Sequence, residues 1–133
     1  MAQNIPVGRP LSPHLQVYKL IFTFLMSGFH RVTGLMLYFG VLFGLWWLVA
    51  AASGPAYFNF VNGLAGSILG RVVLLGLTWL LIHHGLGGVR HFIWDTGKGL
   101  DERGRELLAR LTLIGSLSLT LIVWIVAYLV RGG

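Results

Sequence analysis

The stretch VTGLMLYFGVLFGLWWLVAAA, residues 32–52, contains no charged side chain and is long enough to cross a lipid bilayer. A hydrocarbon core of roughly 30 Å requires about 20 residues of α-helix, because each residue adds about 1.5 Å to the helix length. Two further stretches, at about residues 72–91 and 111–130, are similarly apolar, and the second carries no charge before Arg90. We therefore predict an all-α membrane protein with three transmembrane helices.

The composition also indicates that most of the protein surface contacts lipid. The 133 residues are 56% hydrophobic and only 11% charged, with a mean hydropathy of +0.78, whereas soluble domains have about 25% charged residues. A small domain leaves about 40% of its surface exposed and cannot hide so many apolar side chains in one core. Three spans in one membrane layer indicate a single domain, 1–133, with an amino-terminal arm and interfacial helix at about 1–31. The chain has no cysteine, which excludes an iron–sulfur cluster held by its own thiolates.

Basic residues are concentrated on one side of the predicted spans. Three of them precede the first span and five surround the second connection, namely Arg9, Lys19, Arg31, Arg90, Lys98, Arg103, Arg105 and Arg110. The opposite side has only Arg71 and Arg131. Because cytoplasmic segments carry the excess of Lys and Arg, we expect a cytoplasmic amino terminus and a carboxyl terminus across the membrane. The net charge of +6 is then a topology signal, and we expect no nucleic-acid partner.

The segments outside the spans give three further expectations. Pro6, Pro10 and Pro13 keep the arm extended, so helix begins after them, with an interfacial stretch at about 15–24. The second connection, 96–106, is interpreted as a solvated loop with local ion pairs. The first twenty residues lack a long apolar stretch and contain few basic residues, so we expect no cleaved leader.

Histidine is the residue type with the clearest chemical potential. His84 lies inside the second span and shares one helical stripe with Gly87, Gly88 and His91, at i, i+3, i+4 and i+7. Glycines beside a histidine leave a flat slot for a broad planar group, which fits a porphyrin whose iron is held by His84. The alternative is a neutral imidazole that hydrogen-bonds to a neighbouring helix.

The other histidines cannot complete such a site from the same helix. His83 is rotated by about 100° from His84, so we interpret it as a packing or hydrogen-bonding residue. His91 lies about 10 Å along the helix axis from His84, which is too far for the opposite axial position. It is better placed to meet a haem propionate, at a depth similar to that of His30 and Arg31. A second axial histidine would have to come from another chain.

Ser27 and Arg31 form a second possible site at the edge of the first span. At i and i+4 they point the same way, and a hydroxyl with a guanidinium could hold the carbonyl of a quinone. The alternative for Arg31 is a side chain that reaches toward lipid phosphate.

Two motifs carry a family resemblance. Arg9-Pro10-Leu11, followed by SGFHRVTG at 27–34, resembles the amino-terminal signature of the succinate dehydrogenase cytochrome b556 subunit family, and HGLGGVRHFIWD at 84–95 resembles its second signature. Both occur in order relative to the three spans. The glycines Gly85 and Gly87 make this haem stripe smaller than the branched residues typical of the family.

The resemblance implies a membrane anchor subunit of succinate:quinone oxidoreductase, complex II. In that family a flavoprotein oxidises succinate, an iron–sulfur protein relays the electrons, and two membrane subunits bind haem b and ubiquinone. This chain would supply no residue for succinate oxidation itself. By position, His84 matches the axial ligand of the haem iron, Ser27 and Arg31 match residues of the quinone pocket, and His30 with Arg31 match positions near the propionates.

Two other functions remain open, together with the location. A fumarate reductase anchor would run the reverse reaction with a lower-potential quinone, and a helical adaptor would hold no cofactor. Because no convincing transit peptide precedes the first motif, we expect a bacterial inner membrane rather than a mitochondrial one.

Overall fold

Four helices account for almost all of the described chain. The structure, a computed structural model, describes residues 21–131. The helices run in the order α1 (Phe22–Ser53), α2 (Pro55–Gly66), α3 (Ile68–Asp95) and α4 (Glu102–Arg131), with no strand in the described part. Helices α1, α3 and α4 are long and apolar enough to cross a membrane, and an 18-residue stretch of each has a mean hydropathy of 2.0, 1.7 and 2.3, respectively. The predicted all-α class and the three spans are confirmed.

The helix boundaries differ from the prediction at two places. Helix α1 begins at Phe22, so residues 27–31 belong to the same continuous helix as the first span. Of the predicted interfacial stretch at 15–24, residues 15–20 lie outside the described residues, and the part from Phe22 onward belongs to α1. The predicted loop at 96–106 is shorter, because α4 begins at Glu102. Hydropathy marks where a helix enters lipid, and a helix continues past that depth wherever its backbone bonds can be kept.

Helix α2, a short helix that connects α1 to α3, was not predicted. Gly54 separates α1 from α2 with a φ of 121°, a conformation that favours glycine, and Pro55 occupies the first turn of α2. The indole N–H of Trp46 on α1 donates to the hydroxyl of Tyr57 on α2, at 2.8 Å. Helix α3 is preceded by its N-cap residue Ser67, whose hydroxyl accepts the Gly70 N–H at 3.1 Å. The first connection is therefore an ordered helical segment.

The expected ion pairs of the second connection are not present as predicted. Within residues 21–131 the salt bridge is between Arg110 and Glu106, at 3.2 Å, and it lies on α4 at i,i+4 spacing. The remaining loop, 96–101, closes through Trp94, whose indole N–H donates to the Gly99 carbonyl at 3.1 Å. Gly97 and Gly99 have φ values of 77° and 67°, so this turn depends on glycine.

The interior of the helix bundle is more polar than its surface. Large apolar side chains point outward, and Val41, Val72 and Leu129 are 68%, 61% and 72% exposed. The buried positions include small or polar side chains: Thr33, Ala50, His83, Arg90, Ala109, Thr112, Ser116 and Thr120. This distribution is expected in lipid, where apolar side chains gain nothing from burial and small residues let helices approach closely.

Ser116 joins α3 to α4 at the centre of this interior. Its hydroxyl donates to the Leu113 carbonyl at 2.8 Å and lies 3.2 Å from the indole nitrogen of Trp79 and 3.0 Å from Nδ1 of His83. Because the single hydroxyl proton is used by Leu113, Ser116 accepts from both side chains of α3. His83, 2% exposed, is thus a packing and hydrogen-bonding residue, as its position on the helix predicted.

Replacing Ser116 with alanine should destabilise the α3–α4 contact. The Trp79 and His83 donors would lose their shared acceptor, and interhelical hydrogen bonds of this kind contribute about 0.6–2 kcal/mol in membranes. The measurement is the thermal unfolding midpoint of the detergent-purified protein for Ser116→Ala, which should fall. Ser118→Ala, at an exposed position of the same helix, is the matched control and should leave the midpoint unchanged; equal midpoints for both variants would contradict the assignment.

Candidate functional site

The His84 imidazole is held by α1. Its Nδ1 atom lies 3.2 Å from the His30 carbonyl oxygen and 3.2 Å from the Thr33 hydroxyl oxygen. The Thr33 hydroxyl itself donates to the same His30 carbonyl at 2.9 Å. A carbonyl can only accept, and the Thr33 proton is already used, so the proton of the neutral His84 ring lies on Nδ1.

The other nitrogen of His84 is available to a ligand. Nε2 makes no hydrogen bond with any described residue, and it is not buried in the chain. With the proton on Nδ1, Nε2 carries a lone pair and points away from the anchoring carbonyl. An imidazole whose Nδ1–H is bonded to a backbone carbonyl, with Nε2 free, is the usual arrangement of a histidine that ligates a metal.

His30 stacks on His84 from the neighbouring helix. The ring centroids are 4.1 Å apart and the planes differ by 11°. Nε2 of His30 is buried and has no hydrogen-bond partner among the described residues. Gly87 of α3 lies directly against the His30 ring, and a Cβ atom at that position would collide with the ring.

The role of the glycines beside His84 differs from the one that the sequence predicted. The slot at Gly87 is filled by the His30 imidazole of this chain, not left for a porphyrin. A Cβ atom added at Gly85 or Gly88 would meet no atom within 4 Å, so the surface beside His84 remains open to a planar ligand. The periodicity identified a flat face, but it could not show which ring of the chain occupies part of it.

His91 lies at the edge of the same cluster. Its ring centroid is 5.3 Å from that of His30 and 5.2 Å from that of Trp94, and its side chain is exposed. Within residues 21–131, no group of three or more His, Cys, Asp or Glu side chains is arranged to hold a metal ion. The cluster can thus offer His84 as one ligand to a metal that is held mainly by other groups.

Ser27 and Arg31 are not in contact with His84. Both lie at exposed positions of α1, one turn apart, and neither has a hydrogen bond or ion pair with the described residues. An apolar cavity of about 280 Å³ on the same helix is lined by Phe24, Leu25, Gly28, Phe29 and Val32, and neither Ser27 nor Arg31 is among its lining residues. Their shared face matches the i,i+4 prediction, and it faces outward from the chain.

Arg90 is a site residue that the sequence reasoning missed. It was counted as a topology signal, yet only 3% of its surface is exposed and its Nε atom is buried without a partner among the described residues. Its guanidinium carbon lies 5.1 Å from the centroid of the Trp94 ring, a cation–π distance. No carboxylate of residues 21–131 pairs with it. The available signal was its spacing, since His83, Gly87 and Arg90 follow one another at i, i+4 and i+7.

Gly34 is the second missed residue. A Cβ atom there would lie 3.0 Å from Cε1 and 3.8 Å from Nε2 of His84. This glycine therefore sets how closely α1 approaches the His84 ring, and no pattern within α1 alone could indicate that.

Comparison with known proteins decides the family. The family model of the succinate dehydrogenase/fumarate reductase transmembrane subunit matches residues 6–127. The chain belongs to this family. It is similar to a succinate dehydrogenase cytochrome b556 subunit of Paracoccus denitrificans, 38% identical over 121 residues, which are 91% of this chain and 93% of the relative. A cytochrome b556 subunit of Rickettsia felis is 31% identical over 123 residues, which are 92% and 96% of the two chains.

A mitochondrial relative extends the similarity. The succinate dehydrogenase cytochrome b560 subunit of Bos taurus is 40% identical over 101 residues, 74% of this chain and 60% of the bovine one. Together with the three long apolar helices, these matches identify a multi-pass membrane protein that serves as a membrane anchor of complex II. The predicted family and anchor role are confirmed.

Proposed function

We propose that this anchor binds one haem b through His84 and takes part in electron transfer from succinate to ubiquinone. The observation that carries the proposal is the state of the His84 ring, with Nδ1 tied to the His30 carbonyl and Nε2 free and unburied. The names of the relatives, which are cytochrome b subunits, support a haem of the b type. A haem bound here would supply a one-electron redox centre.

The ligand set of this chain fits one side of such a haem. His84 offers one axial nitrogen, and the open surface at Gly88 leaves room for the ring. His91 is too far along α3 to be the opposite ligand. The second axial histidine is therefore expected from the other membrane anchor subunit of the complex.

Four side chains near the proposed haem site would attract a negatively charged group. His30, Arg31 and His91 were assigned to the propionates by sequence, and Arg90 joins them because its charge is buried with no carboxylate from residues 21–131. An unpaired buried cation is costly, so an anion supplied from outside the described chain is expected beside it. A propionate, which is a carboxylate, meets that requirement.

Quinone reduction is assigned to the exposed face of α1. Ser27 can donate a hydrogen bond to one quinone oxygen, and Arg31 can stabilise the negative charge that develops there as electrons arrive. On the proposed orientation this face lies near the cytoplasm, so protons would enter from that side.

Three partners complete the proposed reaction. A flavoprotein oxidises succinate, an iron–sulfur subunit delivers electrons one at a time, and a second three-helix anchor subunit packs against this chain. The excess of basic residues supports a cytoplasmic amino terminus. The bacterial relatives support a location in a bacterial inner membrane.

Two alternatives are distinguished by simple measurements. The family description covers fumarate reductase as well, and a purified complex in which menaquinol:fumarate activity exceeds succinate:ubiquinone activity would establish that function instead. A cofactor-free adaptor would give no b-type band in a reduced-minus-oxidised spectrum of membranes that contain the complex.

Removal of the proposed ligand should abolish the haem signal. In His84→Ala the free Nε2 is lost, and the b-type band of the purified complex should disappear. The matched control is His83→Ala on the same helix, which removes a packing residue and should keep the band at a lower thermal stability. An unchanged band in His84→Ala would refute the ligand assignment.

A methyl group added on α1 beside the His84 ring should weaken haem retention, although His84 itself remains. A methyl group in Gly34→Ala would meet the His84 ring at 3.0 Å and displace it from its carbonyl. Changes around a ligating histidine cost about 10–100-fold in metal affinity, so haem loss during dilution should be at least about tenfold faster. Gly76→Ala, where nothing lies within 4 Å, is the control, and equal retention in the two variants would contradict this role.

Replacement of Arg31 should lower ubiquinone reduction and leave succinate oxidation nearly unchanged. Arg31→Leu should lower ubiquinone reduction by about tenfold or more, because a positioned donor of this kind contributes about 100-fold in other enzymes. Succinate oxidation with a soluble artificial acceptor should remain nearly intact. Arg105→Leu, an exposed charge on α4, should affect neither rate. Equal loss of both activities in Arg31→Leu would indicate failed assembly rather than a quinone-binding role.

A further inference from the structure

A basic cavity lies at the end of the molecule opposite the histidine cluster. It has a volume of about 210 Å³, and its polar lining includes Arg71, Arg131, Asn62 and Tyr128. Arg71 is in the first turns of α3, and Arg131 is the last residue of α4. Because these two helices are antiparallel neighbours, both guanidinium groups belong to the same membrane face.

The two arginines are free to bind an anion. Arg71 is oriented by one hydrogen bond, from its Nε to the Gly66 carbonyl at 2.8 Å, which leaves its terminal nitrogens unbonded. Arg131 has no hydrogen bond to the described chain, and no carboxylate of residues 21–131 pairs with either group. On the proposed orientation these are the basic residues on the non-cytoplasmic side, where topology does not require them.

An apolar groove continues from this cavity along the helices. A second cavity, of about 370 Å³, shares Asn62, Ala65 and Leu74 with the first. Its other lining residues are apolar and come from α1 and α3, namely Gly40, Phe43, Gly44, Trp47 and Leu77. At Gly44 an added Cβ would meet no atom within 4 Å, so the groove is open there.

We propose that the cavity and its groove form a binding site for one anionic phospholipid. The phosphate lies between Arg71 and Arg131, where bidentate guanidinium contacts to phosphate oxygens are favourable. An acyl chain lies in the groove over Gly44. Free inorganic phosphate shares the headgroup chemistry, but it would leave the apolar groove unused. The charge of the site favours an anionic lipid over a zwitterionic one, whose own cation would face the two arginines.

The test uses the purified, delipidated complex and native mass spectrometry. Added phosphatidylglycerol should bind at least about tenfold more tightly than phosphatidylcholine, since each basic residue near a lipid surface adds attraction for an anionic headgroup. The double variant Arg71→Gln/Arg131→Gln should lose that preference. Arg110→Gln, at the other end of the bundle and paired with Glu106, should retain it.

A second variant tests the groove separately from the charges. Gly44→Leu fills part of the groove while both arginines remain; its Cβ would meet no atom within 4 Å, and the cavity of about 370 Å³ has room for the rest of the side chain. Retention of phosphatidylglycerol should fall by about tenfold. An excess of inorganic phosphate should not displace the lipid from the wild-type complex.

Four outcomes would overturn the proposal. These are equal binding of the two lipids, an unchanged preference in the double arginine variant, unchanged retention in Gly44→Leu, and displacement of the lipid by inorganic phosphate. An ion pair between Arg71 or Arg131 and a carboxylate of another subunit, seen in a structure of the native complex, would also overturn it, because the charges would then already be paired. None of these measurements depends on haem or quinone binding.

Discussion

The absence of water from a bilayer core is the constraint on which this structure depends. Each polar group that enters the core needs a partner within the protein, since lipid offers none. Residues 21–131 meet this requirement by turning apolar side chains outward and directing hydroxyls, imidazoles and one guanidinium into the bundle. The helices are joined by the contacts of those few polar side chains, and each polar residue in the interior has to be explained by a partner or by a function.

Hydrogen bonding distinguishes the structural His83 from His84, the proposed haem ligand. His83 and His84 are adjacent in sequence and both lie inside the membrane span, yet their environments differ. His83 is fully buried and bonded to Ser116 of α4, so its polar demand is met within the chain. His84 is bonded through Nδ1 only, and its second nitrogen remains available. Nε2 of His30 and Nε of Arg90 are buried without a partner among the described residues, and together with the free Nε2 of His84 they mark the region for which we propose a further group.

The two ends of the bundle carry different chemistry for the same reason. At one end imidazoles, Arg31 and Arg90 surround the face proposed for haem and quinone. At the other end Arg71 and Arg131 meet beside an apolar groove. In both places a cation lacks a carboxylate from residues 21–131, and the proposed ligands, a propionate, a reducing quinone and a lipid phosphate, all bring negative charge.

The sequence by itself determined the number of spans, their helical nature, the family and the shared face of Ser27 and Arg31, because these depend on hydropathy, helical spacing and contiguous motifs. It did not determine helix α2, the early start of α1 at Phe22, or the start of α4 at Glu102, since the backbone conformation at each helix end, not hydropathy, sets those limits. Only the tertiary structure decided that His30 fills the slot at Gly87, that Gly34 contacts the His84 ring, and that Arg90 is buried rather than exposed. Each of those facts is a contact between helices, or a burial that packing creates, and periodicity along one helix carries no information about which side chain of another helix lies opposite.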